Sequence, residues 1–390
     1  MLPPRDRRVP GQPRLERALV CRTVSARQAQ VAVIGGGIAG AFAAYFAARA
    51  GARVTLIERD RVGAHASSNN PGGLNPLYGA GIPGPLASLA LESFRLHESC
   101  ARDGDIGVTP EPKRRLNLAL DDADAAALRR LETVYDDAPG FSVSWLSGRE
   151  LRECAPRLAP SIELALLAEG DLHVNAARYT AAVAAAAECH GATIQHGLVT
   201  GIARDGARAE AVHTASGPIA CDAVVVATGA WSDEPAAWLG VRLPIAPVKG
   251  ELLLAELPGG AVALDLAWNL VAIYRVDADR VLIGGTETDS GFDERCTARA
   301  RLALLDEADR ILPGINDAEV VGHFAGLRPV TADGMPIVGL APGWENVGLA
   351  LGGGRKGMLL GPAMGKAATD LLLDGSTDLS IDVCSPERFA

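Results

Sequence analysis

The sequence predicts an α/β fold in which a Rossmann-type dinucleotide-binding domain is interleaved with an α+β domain built on an antiparallel sheet. Residues 31–58 read as an apolar strand, a glycine-rich turn, an Ala-rich helix and a second strand. This βαβ order indicates a parallel sheet with right-handed crossovers. A further helix and strand are predicted at 176–199. Residues 243–320, in contrast, are predicted to form several strands and one helix, which is typical of an α+β domain.

The periodicity of apolar residues predicts the individual elements. Leu86, Leu89, Phe94 and Leu96 form one apolar face of a helix. The apolar run at 221–229 is typical of a short buried strand that ends in a turn. The predicted strands span 31–35, 53–58, 115–120, 192–199, 221–229, 248–255, 270–276, 280–285 and 319–323. The predicted helices span 38–50, 86–101, 121–137, 176–189 and 297–312, and a last helix follows the Gly-rich loop 352–357.

The order of these elements predicts two domains threaded through each other. Residues 1–28 contain Pro and Arg and little apolar periodicity, so we expect a disordered leader there. The segments expected in the dinucleotide-binding domain are 29–105, 151–242 and 321–376, and those expected in the substrate-binding domain are 106–150 and 243–320.

The composition indicates a folded protein that acts on small molecules. Hydrophobic residues make up 48% and charged residues 22% of the chain, as in globular proteins. The net charge of -10 disfavours a nucleic-acid partner, because phosphates would be repelled. The seven cysteines are scattered without a CxxC spacing, so neither a disulfide framework nor a zinc site is indicated, and a reducing, cytoplasmic location is expected.

An uncharged stretch at 28–48 leaves a second interpretation open. By length alone it could be a membrane span or a signal sequence. Four glycines interrupt it, however, and the strand–turn–helix–strand pattern continues beyond it. We therefore expect no membrane span.

The glycine-rich turn carries a dinucleotide-binding fingerprint. Gly35 permits the tight turn, Gly37 lets the backbone approach a pyrophosphate, and Gly40 allows close packing of helix on strand. The helix N-terminus then offers unpaired N–H groups to the phosphates. Glu58 ends the second strand 18 residues after Gly40, where a carboxylate can accept hydrogen bonds from ribose hydroxyls.

Two later features favour FAD over NAD. The turn at 227–229 follows a buried strand and can bring backbone close to a cofactor, although an ordinary turn at the end of a strand is an equal alternative. The Gly-rich loop at 352–357 precedes the last helix and offers a second close approach.

Seven segments in order make the chain resemble the D-amino-acid oxidase family of flavoenzymes. The chain looks most like glycine oxidases and the related sarcosine oxidases and D-amino-acid dehydrogenases, over about residues 30–375. The segments are GGGIAG with Glu58, ASSNNPGGLNP (66–76), VVVATGAWS (224–232), PVKGE (247–251), IGGTETDSGFDERCT (283–297), GLRPVTADGMPIVG (326–339) and GGGRKGMLLGPAMG (352–365).

The resemblance implies FAD in an extended form, with its isoalloxazine ring between the two domains. The helix that begins near Gly357 would point its N-terminus at the ring edge that gathers negative charge, helped by Arg355 or Lys356. The predicted cofactor-binding residues, all but Val199 within these motifs, are Gly35, Gly37, Gly40, Glu58, Ser67, Ser68, Gly73, Val199, Thr228, Gly229, Gly353, Gly354, Lys356, Gly357 and Met358.

The resemblance also implies three catalytic residues. Arg328 matches the arginine that binds the substrate carboxylate, Arg355 a second active-site arginine, and Tyr274 a tyrosine that touches the carboxylate. A guanidinium binds a carboxylate through two parallel hydrogen bonds, so it would hold the substrate Cα beneath flavin N5 for hydride transfer. An ion pair that holds a loop between the domains is the alternative for Arg328. No protein nucleophile is needed, so His323 is expected to be structural.

At three positions the residue differs from the one that is usual in the families that the chain resembles. Relatives that attach flavin covalently do so through Cys or His, whereas this chain has Gly326 at the matching position, which predicts non-covalent FAD. Gly353 stands where glycine oxidases usually carry His. Glu287 stands where an apolar or basic residue is common, and it would favour a cationic or polyamine-like substrate if it faced the pocket, or would be a solvated loop carboxylate if it did not.

Three functional hypotheses follow. The first is an oxidase of a small amino acid or secondary amine that gives an imine, then an oxo acid, and passes electrons to oxygen as H2O2. The second is a D-amino-acid dehydrogenase that uses a quinone or another acceptor. The third is suggested by the loop 66–76, which is also similar to a flavin domain that trims carboxymethylaminomethyl-uridine in tRNA. The acidic chain and the absence of a fused methyltransferase domain disfavour the third.

Overall fold

The computed structural model describes residues 29–257, 259–260 and 262–390. The expected disordered leader, residues 1–28, lies outside the described residues. The helices are α1 (Ile38–Arg49), α2 (Ala87–Asp103), α3 (Asp122–Asp136), α4 (Gly148–Cys154), α5 (Ala176–Cys189), α6 (Asp233–Leu239), α7 (Ala298–Asp309) and α8 (Gly357–Leu373).

The strands form two large sheets and one small one. They are β1 (Gln30–Ile34), β2 (Arg53–Glu58), β3 (Gly73–Leu74), β4 (Glu111–Ala119), β5 (Ser142–Ser147), β6 (Leu164–His173), β7 (Thr193–His196), β8 (Val199–Asp205), β9 (Arg208–Thr214), β10 (Gly217–Ala220), β11 (Ala223–Val226), β12 (Ile245–Glu256), β13 (Asp265–Trp268), β14 (Val271–Arg275), β15 (Arg280–Gly284), β16 (Glu319–Thr331), β17 (Ile337–Leu340) and β18 (Val347–Leu351).

The first sheet has the order β17-β18-β11-β1-β2-β7. Its five strands from β18 to β7 are parallel, and β17 is antiparallel to β18. Helices α1, α5 and α8 bury their apolar faces against one side of this sheet. The antiparallel sheet β10-β9-β8 contributes to a second apolar cluster together with β11 and β18. This arrangement confirms the predicted Rossmann-type half of the fold.

The second sheet has the order β16-β12-β15-β14-β13-β4-β6-β3, with β5 paired to β6. All its pairs are antiparallel except β13 with β4, which run parallel. Helix α7 covers it through the side chains Leu304, Leu305 and Ala308. The predicted second domain with a largely antiparallel sheet is therefore confirmed as a fold.

Three strands lie in a different sheet from the one that the predicted domain boundaries imply. Strand β3 falls in the segment 29–105, yet it pairs with β6 in the second sheet. Strand β6 falls in the segment 151–242, yet it pairs with β4 and β5 in the second sheet. Strand β16 falls almost wholly in the segment 321–376, yet it pairs with β12 from Ile245↔Thr331 to Glu256↔Glu319. The period-2 pattern of a strand reports which face is buried and not which sheet the strand joins.

Several element bounds also differ from the prediction. The strand expected at 192–199 is two strands, β7 and β8, separated at Gly197, and the strand expected at 319–323 extends to Thr331. The strands without a predicted counterpart are β3, β5, β6, β9, β10, β13, β17 and β18. The described part of the uncharged stretch, residues 29–48, contains β1, the glycine turn and nearly all of α1. Within the described residues, no helix combines the length and the hydropathy that crossing a membrane requires.

Candidate active site

A cavity of about 770 Å³ runs from Glu58, at the carboxyl end of β2, to Arg328 on β16. It therefore lies between the two large sheets. Arg328, Arg355 and Tyr274 line it. So do most of the predicted cofactor-binding residues, namely Gly35, Gly37, Glu58, Ser67, Gly73, Val199, Thr228, Gly229, Gly353, Gly354, Lys356, Gly357 and Met358.

In the first glycine turn, between β1 and α1, backbone segments lie so close together that only glycine fits. Gly35 has a φ of +104°, and a Cβ there would lie 2.5 Å from the carbonyl oxygen of Ala227. A Cβ on Gly40 would lie 1.9 Å from the carbonyl oxygen of Gly35, so Gly40 packs helix on strand and does not line the cavity. Any side chain at either position would collide with backbone and open the turn.

The start of α1 is held by a loop that follows β2. The Ser67 hydroxyl oxygen accepts a hydrogen bond from the Ile38 amide at 3.0 Å. A Cβ on Gly37 would come within 3.2 Å of that hydroxyl. Ser68 is oriented differently from the prediction, because its hydroxyl donates to the carbonyl of Gly63 and the residue does not line the cavity. Neighbouring side chains in a short loop point in different directions, which the motif alone does not specify.

Glu58 presents its carboxylate at the cavity wall in a fixed position. One oxygen accepts a hydrogen bond from the Gly36 amide at 2.6 Å, and the other accepts one from the Asp60 amide at 2.8 Å. Both bonds keep an acceptor at the end of β2, where a ribose would lie. Trp231, which we did not predict to bind, lines the same end of the cavity with the guanidinium of Arg59 4.2 Å from its ring centre.

The Gly-rich loop 352–357 places its backbone at the wall of the cavity, next to the N-terminus of α8. Gly352 has a φ of +75°, and a Cβ there would lie 2.5 Å from Cγ2 of Thr331. A Cβ on Gly353 would lie 2.7 Å from Cα of Gly357. The first residues of α8, Gly357 and Met358, line the cavity, so the positive end of the helix dipole is directed at its contents.

Arg328 enters the cavity from β16 without a carboxylate partner among the described residues. Its Nη1 donates to the carbonyl of Thr286 at 2.9 Å. The other N–H groups of the guanidinium have no acceptor in the part of the chain that the structure describes. Burial lowers the pKa of Arg328 from its ordinary value, and Glu287 partly opposes that shift. A cation held in this way is suited to an anionic ligand.

Arg355 differs from Arg328 because it is already paired. Its Nη1 lies 3.2 Å from Oε1 of Glu287, and about half of the arginine side chain is exposed. Glu287 therefore does face the cavity, but its charge is opposed by Arg355. Tyr274 lies half-buried on β14, and burial raises the pKa of its hydroxyl, so it is a neutral hydrogen-bond donor near pH 7.

Arg115 and Asp171, which the sequence did not reveal as site residues, line the cavity on the side of Arg328 and Arg355. Arg115 on β4 forms an ion pair with Asp171 on β6. The guanidinium of Arg115 lies 5.0 Å from the ring centre of Tyr78. Lys356 lies near the same ring, with its Nζ at 5.6 Å, and donates to the carbonyl of Asn75 at 3.0 Å. Arg115 and Asp171 belong to no glycine-rich motif, so only strand pairing could place them here.

Lys356 is partly exposed to the cavity, yet enough protein surrounds it to change its ionisation. Burial lowers the pKa of its amine to about 7, with a further contribution from Arg115. The site thus contains several guanidinium groups that stay charged, and the Lys356 amine, which is half-protonated near neutral pH.

The surroundings of Gly326 and His323 can be compared with the roles that the sequence predicted for them. A Cβ on Gly326 would come within 3.2 Å of Ala66 Cα and Asn69 Cβ, so the position has no room or functional group for a covalent link. His323 lies against the buried Glu251, with 2.8 Å between Nε2 and Oε2, and does not line the cavity. This position fits the expected structural role.

The residues present fit an extended dinucleotide. The glycines at both close approaches leave space that a Cβ would fill, a helix N-terminus lies at each of them, and Glu58 stands at one end. Amide groups and dipole ends of this kind bind phosphate and other electron-rich groups.

Comparison with known proteins gives the same picture. A family model described as FAD dependent oxidoreductase matches residues 30–371. Glycine oxidase of Geobacillus kaustophilus (strain HTA426) is 34% identical over 350 residues, which is 88% of this chain and 92% of that protein.

Solved structures of similar proteins share the fold. The crystal structure of glycine oxidase from Geobacillus kaustophilus has a TM-score of 0.85 and 32% identity, covering 93% of this chain and 100% of that one. The crystal structure of iminodiacetate oxidase from Chelativorans sp. BNC1 has a TM-score of 0.82 and 29% identity, covering 91% of this chain and 98% of that one.

Proposed function

Because the chain belongs to the family of FAD-dependent oxidoreductases and acts on C–N bonds of small amines or amino acids, we propose that its substrate is an α-amino acid of the glycine, sarcosine or D-amino-acid type. The observation that carries this proposal is Arg328. Its guanidinium faces the cavity, is held by Thr286 and is free of any carboxylate among the described residues. A substrate carboxylate is the anion that such a group binds with two parallel hydrogen bonds.

The protein's own residues position the reactants. The first glycine turn, Glu58 and the N-terminus of α8 would hold FAD, non-covalently because Gly326 offers no attachment point. Bound FAD supplies the acceptor for two electrons and a proton from the substrate. Arg328 and the hydroxyl of Tyr274 would orient the carboxylate, and this fixed orientation supplies much of the rate.

The reaction balances without a protein nucleophile. The C–H and N–H bonds of the substrate amine are converted into a C=N bond, so the amino acid loses two electrons and two protons. Water then adds to the imine and releases an oxo acid with ammonia or an amine. Dioxygen, reduced to H2O2, would take up the two electrons and two protons. A quinone or another carrier is the alternative acceptor.

Anaerobic mixing with candidate amino acids tests the proposal. Glycine, sarcosine or D-alanine should bleach the flavin absorbance of the wild-type enzyme, and the Arg328→Met variant should need a concentration at least about 100-fold higher, because a charged hydrogen-bonded pair is lost. Flavin that no amine or amino acid bleaches would contradict the proposal. The matched control is Arg299→Met, which changes an exposed arginine on α7.

Two further measurements address the acceptor and the cofactor link. H2O2 formed under air without an added acceptor supports an oxidase, whereas turnover that requires an added quinone or dye supports a dehydrogenase. Acid precipitation should give a colourless pellet and a yellow supernatant, and a yellow pellet would show covalent flavin.

A cytoplasmic location stays a proposal, supported by six cysteines that are all free among the described residues.

A further inference from the structure

The substrate side of the cavity contains more cations than its acidic residues balance. Five cationic side chains line it, namely Lys113, Arg115, Arg328, Arg355 and Lys356. Three of them have acidic partners that also line the cavity. The pairs are Arg115 with Asp171, Lys113 with Asp265 at 3.8 Å and Arg355 with Glu287 at 3.2 Å. Arg328 and Lys356 have no carboxylate within ion-pair distance among the described residues.

The surroundings of Lys356 hold its amine at a fixed place. Nζ donates to the carbonyl of Asn75 at 3.0 Å, which leaves two of the three ammonium donors without an acceptor in the described part of the chain. Asn75 is itself fixed, because its side-chain amide donates to Asp171 and to the Tyr135 hydroxyl. The side chain is therefore a preformed donor group and not a flexible surface lysine.

An unpaired cation in a partly dehydrated site costs free energy unless an anion compensates it. The low pKa of the Lys356 amine expresses this cost. Arg328 is the first such cation and Lys356 the second. A ligand with two negative groups would compensate both at once.

We propose that the substrate is an amino acid with a second carboxylate, and that Arg328 binds the carboxylate next to the reacting carbon while Lys356 binds the other one. This inference rests on the proposed function and deepens it by naming the substrate class. The second carboxylate can be carried by a substituent on the nitrogen, as in iminodiacetate, or by the side chain, as in D-aspartate and D-glutamate.

Matched pairs of ligands test the inference. Iminodiacetate and N-ethylglycine differ only in a carboxylate that is replaced by a methyl group. In anaerobic flavin reduction, the wild-type enzyme should reach half-maximal rate at a concentration about 10- to 100-fold lower with iminodiacetate, which is the effect of one hydrogen bond to a charged group. In Lys356→Met that ratio should fall close to one, and in Lys356→Arg it should stay above about five, since the positive charge is kept. D-Aspartate compared with D-alanine is the second arm and identifies which position carries the second carboxylate.

A binding measurement without turnover keeps the test independent of activity. Glutarate has the chain length of iminodiacetate but no amine, and butyrate lacks one of its carboxylates. Titration of the flavin absorption spectrum should show glutarate binding at least about tenfold more tightly than butyrate in the wild type and equally in Lys356→Met. The matched control is Lys366→Met on α8, since Lys366 pairs with Asp370 at 2.7 Å and does not line the cavity.

The possible outcomes separate the two proposals. Bleaching by glycine or sarcosine without any preference for the dicarboxylates would overturn the inference and leave the proposed function standing. An unchanged ligand preference in Lys356→Met, with a shifted flavin spectrum in the absence of ligand, would show that Lys356 contacts only the cofactor and would also overturn it. Failure of every amino acid, the dicarboxylic ones included, to bleach the flavin would contradict the proposed function and with it the substrate class inferred here, even if glutarate bound normally.

Discussion

The guanidinium of Arg328 on β16 lies directly over Gly250 on the neighbouring strand β12. A Cβ built on Gly250 would come within 2.3 Å of Nη2 and 2.4 Å of Nη1 of the arginine. The glycine in the PVKGE segment therefore makes the space in which the carboxylate-binding group lies. The sequence marked Arg328 as a candidate but gave no reason for Gly250.

Gly250→Ala should displace the guanidinium and weaken catalysis without loss of the cofactor. We expect kcat/KM to fall about 100-fold, because a displacement of about 1 Å of a positioning group has that effect. Steady-state kinetics and the flavin content of the purified variant are the measurements. Gly201→Ala on β8 is the control, since its Cβ would lie an ordinary 3.6 Å from His213. Wild-type kinetics in Gly250→Ala would show that the arginine is not held as described.

Glu287→Gln should make Arg355 available to anionic ligands. The ion pair at 3.2 Å involves a half-exposed arginine, so its free energy is small, and we expect the affinity for butyrate to increase by less than about tenfold. Titration of the flavin spectrum measures this affinity. Asp289→Asn, at an exposed position that does not line the cavity, should leave it unchanged. A decrease in affinity in Glu287→Gln would mean that the carboxylate helps to orient Arg355.

Glu58→Gln should weaken FAD binding while the fold persists. The carboxylate now holds the Gly36 amide at 2.6 Å and would offer an ionised acceptor to the ribose, and ionised acceptors make the stronger hydrogen bonds. We expect the Kd of the apoprotein for FAD to rise about tenfold. Quenching of FAD fluorescence gives the Kd, with Glu210→Gln at an exposed position on β9 as the control. An unchanged Kd would place the ribose elsewhere.

The binding of dicarboxylates should weaken as the pH rises through about 7. The Lys356 amine has its pKa lowered to about 7, chiefly by burial, and only the protonated amine attracts the second carboxylate. Above that pH each ligand must bring a proton with it, so the Kd for glutarate should rise by up to about tenfold per pH unit. Butyrate, and glutarate in Lys356→Met, should show no such rise. A pH-independent Kd in the wild type would contradict the assignment.

The buried His97 should make the enzyme lose stability in mild acid. Its Nδ1 lies 2.8 Å from the Tyr179 hydroxyl and its Nε2 3.1 Å from the carbonyl of Leu359, and burial lowers its pKa to about 4. The unfolded chain, with an ordinary pKa of about 6.5, binds more protons between these values, so the free energy of unfolding falls as the pH drops from about 6.5 to 4.

Urea unfolding at about pH 7.5 and pH 4.5 measures this contribution. His97→Gln should be less stable at the higher pH by about 1–3 kcal/mol, because the Tyr179 hydroxyl and the Leu359 carbonyl lose a well-placed partner. The same variant should lose less stability on acidification than the wild type does. His213→Gln, at an exposed position on β9, should follow the wild-type curve.

Much of the fold was predictable because its signals are local. The turn around Gly35, the helix after it and the strand ending at Glu58 lie within one βαβ unit, where apolar periodicity and glycine chemistry act over a few residues. The sheet to which β6 and β16 belong was not predictable, because pairing partners are chosen by long-range packing. Ser68 shows the same limit on a smaller scale, since the motif placed it near the cofactor but its hydroxyl donates to the carbonyl of Gly63.

The sequence by itself determined the dinucleotide turn, the family resemblance and the candidate arginines, because each depends on residue types at short spacings. Only the tertiary structure decided which of the cations in the cavity have an acidic partner and which do not. Arg355 is paired with Glu287, from a segment far away in the chain, and Arg115 is paired with Asp171 across two neighbouring strands. Lys356 and Arg328 are left without such partners among the described residues. Charge pairing depends on distances of a few ångströms between distant segments, and the order of strands in the second sheet sets those distances.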